Sequence, residues 1–137
     1  DAYVSYDFGP LALTVTNYTF PDGDGTYSSG GFFEGDLEIS ASTEIGGLSL
    51  MGGYFPDLET LYIEAGFGLG DVDFAIGFGS DSADAFYVGA GESAICNVSF
   101  GYSKEIKITD DYSLPLFSSF IFNPKSEAAF IVFGASF

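Results

Sequence analysis

Residues 128–137 read AAFIVFGASF. Counting back from the end in steps of two gives Phe137, Ala135, Phe133, Ile131 and Ala129. The residues between them are Ser136, Gly134, Val132, Phe130 and Ala128. Successive side chains of a strand point to opposite faces, so this segment is a strand with one wholly apolar face and one of mixed character. Its ten residues match the roughly 9 to 11 that a tilted strand needs to cross a bilayer. A buried strand of a soluble sheet has the same pattern, and a short apolar run does not separate the two.

Composition narrows the choice. The chain has 137 residues, room for one domain spanning 1–137 that can bury a core without disulfides. It is 47% hydrophobic, yet carries a formal charge of −17. A soluble protein this acidic ordinarily has less apolar residue to hide. A helical membrane protein would show an apolar run of 18 or more residues, and none is present. A transmembrane β-barrel reconciles charge with greasiness, because apolar residues are spread singly along alternating strands while polar ones line the lumen and loops. The 19 glycines, 16 phenylalanines and nine tyrosines point the same way.

The same pattern continues through the chain. Strands are predicted at 2–8, 11–19, 32–44, 48–55, 60–68, 72–79, 94–109, 114–122 and 128–137, with 86–91 as a possible strand extension. Numbered from the C-terminus, the connections 123–127, 80–93, 56–59 and 20–31 fall at one end of the sheet, and 110–112, 68–71, 45–47 and 9–10 at the other. Both long polar loops share an end, and the shortest turns share the opposite one. Long extracellular loops and short periplasmic turns are the pattern of outer-membrane barrels. The expected fold is therefore all-β, an antiparallel up-and-down transmembrane β-barrel with about nine strands visible. Nine is odd, whereas bacterial single-chain barrels have even strand numbers, so at least one strand is expected before Asp1, unless 48–55 or 86–91 is misassigned.

A terminal aromatic on such a strand looks like the closing strand of a bacterial outer-membrane barrel, which implies that Phe133 and Phe137 belong to the signal read by the barrel-insertion machinery. Residues 104–137 resemble the C-terminal end of uncharacterised outer-membrane β-barrel proteins of Bacteroidota-type Gram-negative bacteria. The matching features are Lys104-Glu105-Ile106-Lys107-Ile108-Thr109-Asp110, Ser113-Leu114-Pro115, Asn123-Pro124, Phe133-Gly134 and Phe137. The opening YVSYDFGPLALTVTNYTFP, residues 3–21, is similar to a strand pair in the middle of the same proteins. The resemblance implies an outer-membrane location, contact with lipid and lipopolysaccharide, and further strands before Asp1. It supplies no activity and no catalytic or binding motif.

Several function classes are excluded by what is missing. There is no histidine and one cysteine, Cys96, so Ser-His-Asp and Cys-His catalytic sets, internal disulfides and cysteine-based metal clusters are ruled out. With three lysines and no arginine the chain has nothing to neutralise phosphates, which argues against nucleic acid. Asp36 and Glu38 invite a comparison with glycosidase carboxylate pairs, but neighbouring inward positions on one strand are routine in a lumen. No catalytic residue is assigned and no enzyme is expected. Asn17-Tyr18-Thr19 and Asn97-Val98-Ser99 match the glycosylation sequon by chance.

The binding candidates are acidic. Asp22 and Asp24 in PDGDGT resemble the opening of a calcium loop, but the twelfth position is Phe33 where a bidentate Glu is required, which favours a solvated turn. Asp81 and Asp84 are similar, and outward acidic loops have a further reading as sites for divalent cations bridging to lipopolysaccharide. Alternation points Asp7, Asp36, Glu38, Glu64 and Asp73 inward, with Lys107 as the one inward base. Unpaired lumen acids must meet water, bind cations or take up protons, because a buried unpaired charge costs several kcal/mol. They predict a small passive, porin-like channel with an acidic, cation-preferring lumen; acids near strand ends or a salt-adapted host would read the same way. Two alternatives stand beside it. One is a structural barrel with a filled lumen docked on another outer-membrane protein, favoured by inward Tyr3, Tyr62, Phe117 and Phe130; the other is a soluble lipocalin-like binder of an apolar ligand. Alternation places Ala94 and Cys96 outward. It also points Lys104 at lipid, which requires either a position near the interface or a bulge. Tyr6, Tyr54, Tyr102 and Tyr112 suit an interfacial girdle.

Overall fold

Alternating apolar and small polar residues, punctuated by glycine turns, fold into one antiparallel sheet. The computed structural model describes residues 1–19, 35–82 and 84–136. The strands are β1 (Ala2–Asp7), β2 (Leu11–Tyr18), β3 (Asp36–Ile45), β4 (Leu48–Phe55), β5 (Thr60–Leu69), β6 (Val72–Asp81), β7 (Ser93–Lys107), β8 (Ser113–Asn123) and β9 (Ala128–Ala135). Each pairs with the next, giving the order β1 to β9, with no helix among the described residues. The strand extension expected at 86–91 is not formed; these residues make bends and turns.

Turn chemistry sets the registers. Gly46 and Gly47 both have positive φ, +60° and +83°, as a two-residue hairpin of right-handed twist requires. At the opposite end, the four-residue turns 56–59 and 124–127 each begin with Pro and end with a glutamate in the left-handed region, Glu59 at φ +48° and Glu127 at +56°. Asn123 Oδ1 accepts the N–H groups of Lys125 and Ser126, closing the second of these turns.

The registers sort the side chains into two contrasting faces. On one, the row Leu48, Phe67, Phe74, Phe100, Phe120 and Ile131 crosses from β4 to β9 without a polar residue. On the other, the row Gly68, Asp73, Gly101 and Ser119 leads to Val132. Burial runs opposite to that of a soluble sheet: along β6, Gly77 and Gly79 are buried while Phe74, Ile76 and Phe78 are exposed. The apolar side chains buried among the described residues are those of Phe55 and Cys96. We call the polar face, which carries these buried glycines, the inner face, and the apolar face the outer one.

Closure is where the fold departs from expectation. The nine strands do not close into a barrel: β1 and β9 are the two edges of an open sheet. In a nine-strand meander the first and last strands run in the same direction, so direct contact would be a parallel pairing inside an otherwise antiparallel ladder.

Candidate functional site

The inner face divides into a packed end and an open end. The packed end lies beside turn 56–59 and the β6–β7 connection. There Asp81, the last residue of β6, is 2% exposed, and its Oδ2 accepts four backbone N–H groups, from Phe86, Tyr87, Val88 and Gly89, at 2.8 to 3.0 Å. Its Oδ1 accepts the Thr60 hydroxyl at 3.1 Å. A buried carboxylate is costly unless its lone pairs are filled, and five donors fill them here. Bent around this oxygen, the connection lays its side chains on the inner face. Phe86 packs on Phe55 at 5.1 Å between ring centroids and Tyr87 on Tyr62 at 5.0 Å, while Tyr18 meets Phe55 at 5.7 Å. Burial, and after it the Glu38 carboxylate, pushes the Tyr87 phenol up to about 12.

Two glycines make room for this packing. A Cβ on Gly77 would lie within 2.1 Å of the Tyr62 hydroxyl, and one on Gly79 within 2.7 Å of Tyr87 Cβ. A side chain at position 77 would collide with the Tyr62 ring, and one at position 79 with Tyr87, Cys96 and Val88. Beneath them Tyr62 donates to Glu64 Oε2, and Asn97 Nδ2 donates to the same oxygen at 2.9 Å and to Tyr62 Oη at 3.2 Å.

The open end is a cavity of about 400 Å³ whose lining includes Glu44, Ser49, Glu64, Asp73, Ser99 and Ser119. Three carboxylates surround small residues there, and among the described residues no lysine pairs with any of them. Lys107 bonds instead to Asp110 at 2.8 Å in the exposed 108–112 turn, and Lys125 pairs with Glu92. No group of three or more His, Cys, Asp or Glu among the described residues converges on a metal-sized site.

The expected lumen acids are thus distributed unevenly. Glu64 and Asp73 share the cavity, joined by Glu44, which the alternation of β3 also turns inward. Glu38 lies over Gly53, its Oε2 3.1 Å from where a Cβ would be. Asp7 stands at a strand end, where its Oδ1 accepts the Gly9 N–H at 2.6 Å, and Asp36 starts β3 at the opposite end. Phe133 is on the outer face, 78% exposed. Asp22, Asp24 and Phe137 lie outside the described residues.

The outward assignment of Ala94 and Cys96 is corrected. The register slips between Gly77, opposite Asn97, and Phe78, opposite Ile95, so β7 carries one extra residue, Cys96. This bulge turns Cys96 inward and buries it, with Sγ 3.1 Å from where a Gly79 Cβ would lie. Above the bulge Ile95 faces out and Ala94, opposite Gly79, faces in. No slip intervenes near Lys104, which stays on the outer face opposite Leu116, itself opposite Ala135, the last residue of β9. It therefore sits near the short-turn rim, where its stem can reach the interface.

The convergence of four N–H groups on Asp81 is not legible by counting along the sequence. Glycines at alternate inward positions 77 and 79, with polar Thr60 directly opposite Asp81, were the available signal that something folds into this space. No protein-family model, curated protein or solved structure matches the chain, so the two faces of its own sheet carry the functional reading.

Proposed function

We propose that the chain is an outer-membrane β-barrel protein, or part of one, whose outer face lies against lipid and whose inner face lines a passive, cation-preferring passage. One observation carries the reading: the apolar row Leu48, Phe67, Phe74, Phe100, Phe120 and Ile131 is exposed on one face, while the opposite face holds Glu44, Glu64 and Asp73 in a cavity. A soluble monomer rarely exposes more than a few hundred Å² of contiguous apolar surface, and a lipid-facing sheet must. The soluble lipocalin-like alternative needs the apolar face inside, opposite to the burial along β6. An all-antiparallel closure takes an odd number of further strands between β9 and β1.

A second reading, a filled barrel accessory to another outer-membrane protein, is favoured by the packing of Phe55, Phe86, Tyr62 and Tyr87 across the inner face. Two measurements test the proposal. The membrane-extracted protein is run boiled and unboiled on a mild-detergent gel, and then reconstituted in a planar bilayer under a salt gradient. A mobility shift with a cation-selective reversal potential is the expected result. Solubility without detergent and no shift would overturn the membrane reading; a shift without conductance would transfer support to the filled barrel.

A further inference from the structure

We infer that the connection between β6 and β7 is a latched plug, that Asp81 is its latch, and that release of the latch opens the inner face at the long-loop end. The inference rests on the barrel reading for its consequence, and on geometry alone for its mechanism.

The connection does not extend away from the sheet end. It turns back so that Tyr87 and Val88 lie directly over Gly79 and Cys96, with Val88 Cγ1 3.3 Å from where a Gly79 Cβ would be. Four consecutive N–H groups, Phe86 to Gly89, point at a single oxygen, Asp81 Oδ2. A turn whose successive N–H groups converge in this way is an anion nest, and here the anion is the protein's own side chain. The base of the connection is tied down twice more: Asp81 N–H donates to Glu92 O at 2.9 Å, and Glu92 pairs with Lys125 in the β8–β9 turn. That pair is partly exposed and contributes little. Asp81 is different, since it is buried and each bond to it is charge-assisted.

Phe86 and Tyr87 supply the plug's aromatic packing, on Phe55 and Tyr62, and both partners remain in the sheet if the plug lifts. The connection can therefore leave without unzipping a strand ladder. Segments held by local contacts open more readily than the strands beneath them.

Cys96 supplies the test. It is the chain's one cysteine, lies in the sheet and is buried under the plug, so its modification by a water-soluble cationic thiosulfonate reports plug opening directly. The full chain is folded into detergent micelles, and labelling is followed by mass. Wild type is expected to label slowly. Asp81→Asn keeps a neutral acceptor but loses the charge, and is expected to label at least about tenfold faster, a change that needs only about 1.4 kcal/mol off the opening free energy. Its heat-dependent gel shift and strand content should match wild type.

Tyr87→Ala, which removes the cover while leaving Asp81 and every strand in place, is expected to accelerate labelling similarly, and decides the matter if Asp81→Asn fails to fold. Equal rates in wild type and a folded Asp81→Asn, or an unchanged slow rate in Tyr87→Ala, would overturn the inference. Labelling does not require conduction, so a folded protein that opens its plug without conducting would refute the channel reading alone. A conducting protein whose variants label and conduct as wild type would refute the plug alone.

Discussion

Replacing Ile76 by Lys tests whether lipid or water meets the outer face. Ile76 lies in the middle of β6, opposite Ala65 and Val98, and is 47% exposed. Ten residues at about 3.3 Å each, tilted about 40°, give β6 a height of about 25 Å, the height of an outer-membrane apolar band. Ile76 then sits within a few ångströms of the midplane. A lysine at that depth costs about 2 to 4 kcal/mol, whereas on a water-facing sheet half of an isoleucine's burial, about 1 kcal/mol, is the most that can be lost. Leu69→Lys at the short-turn rim is the depth control, expected to cost about 0 to 1 kcal/mol. Ser42→Lys on the inner face, opposite Ala12 and Met51, controls for the charge itself and should change stability by less than about 1 kcal/mol. The assay is urea unfolding of vesicle-folded protein, read by the unboiled gel band. If Ile76→Lys and Leu69→Lys cost the same within about 0.5 kcal/mol, the outer face does not meet lipid.

Three further outcomes follow from named contacts. Neutralising Glu64 and Asp73 together by Gln and Asn removes two of the three cavity carboxylates, and should shift the bilayer reversal potential toward zero without abolishing conductance. Glu127→Gly relieves a left-handed φ of +56° and should raise stability by about 1 kcal/mol, seen as a higher urea midpoint, less the extra chain entropy of glycine. The Tyr87 phenol, raised to about 12 by burial, should appear in the wild-type minus Tyr87→Phe absorbance difference as a titration near pH 12 rather than 10. Because the folded value is the higher one, the stability it contributes is complete below pH 10 and is lost as pH rises through 12.

Much of the architecture was legible in the order of residues. Alternation located all nine strands, and loop length placed the long connections at one end, because a period of two and a run of Gly, Asp and Ser are local properties. The inward setting of Glu64 and Asp73 and the outward setting of Phe74 and Ile76 follow from counting by twos within one strand. Counting fails where a strand gains a residue. Cys96 is turned inward by a slip in pairing with β6, and nothing in ICNVSF distinguishes a bulged strand from a regular one. Nor does sequence say where a long connection goes. Asp81 reads as one more acid at a loop edge, and only the folded chain brings four N–H groups and the Thr60 hydroxyl, 21 residues away, onto its carboxylate. Which residues share a face is a repeating pattern written along each strand, so within a regular strand the sequence alone determines it. Register and the path of a loop depend on the free energy of contacts between distant residues, and those contacts exist only after the chain has folded.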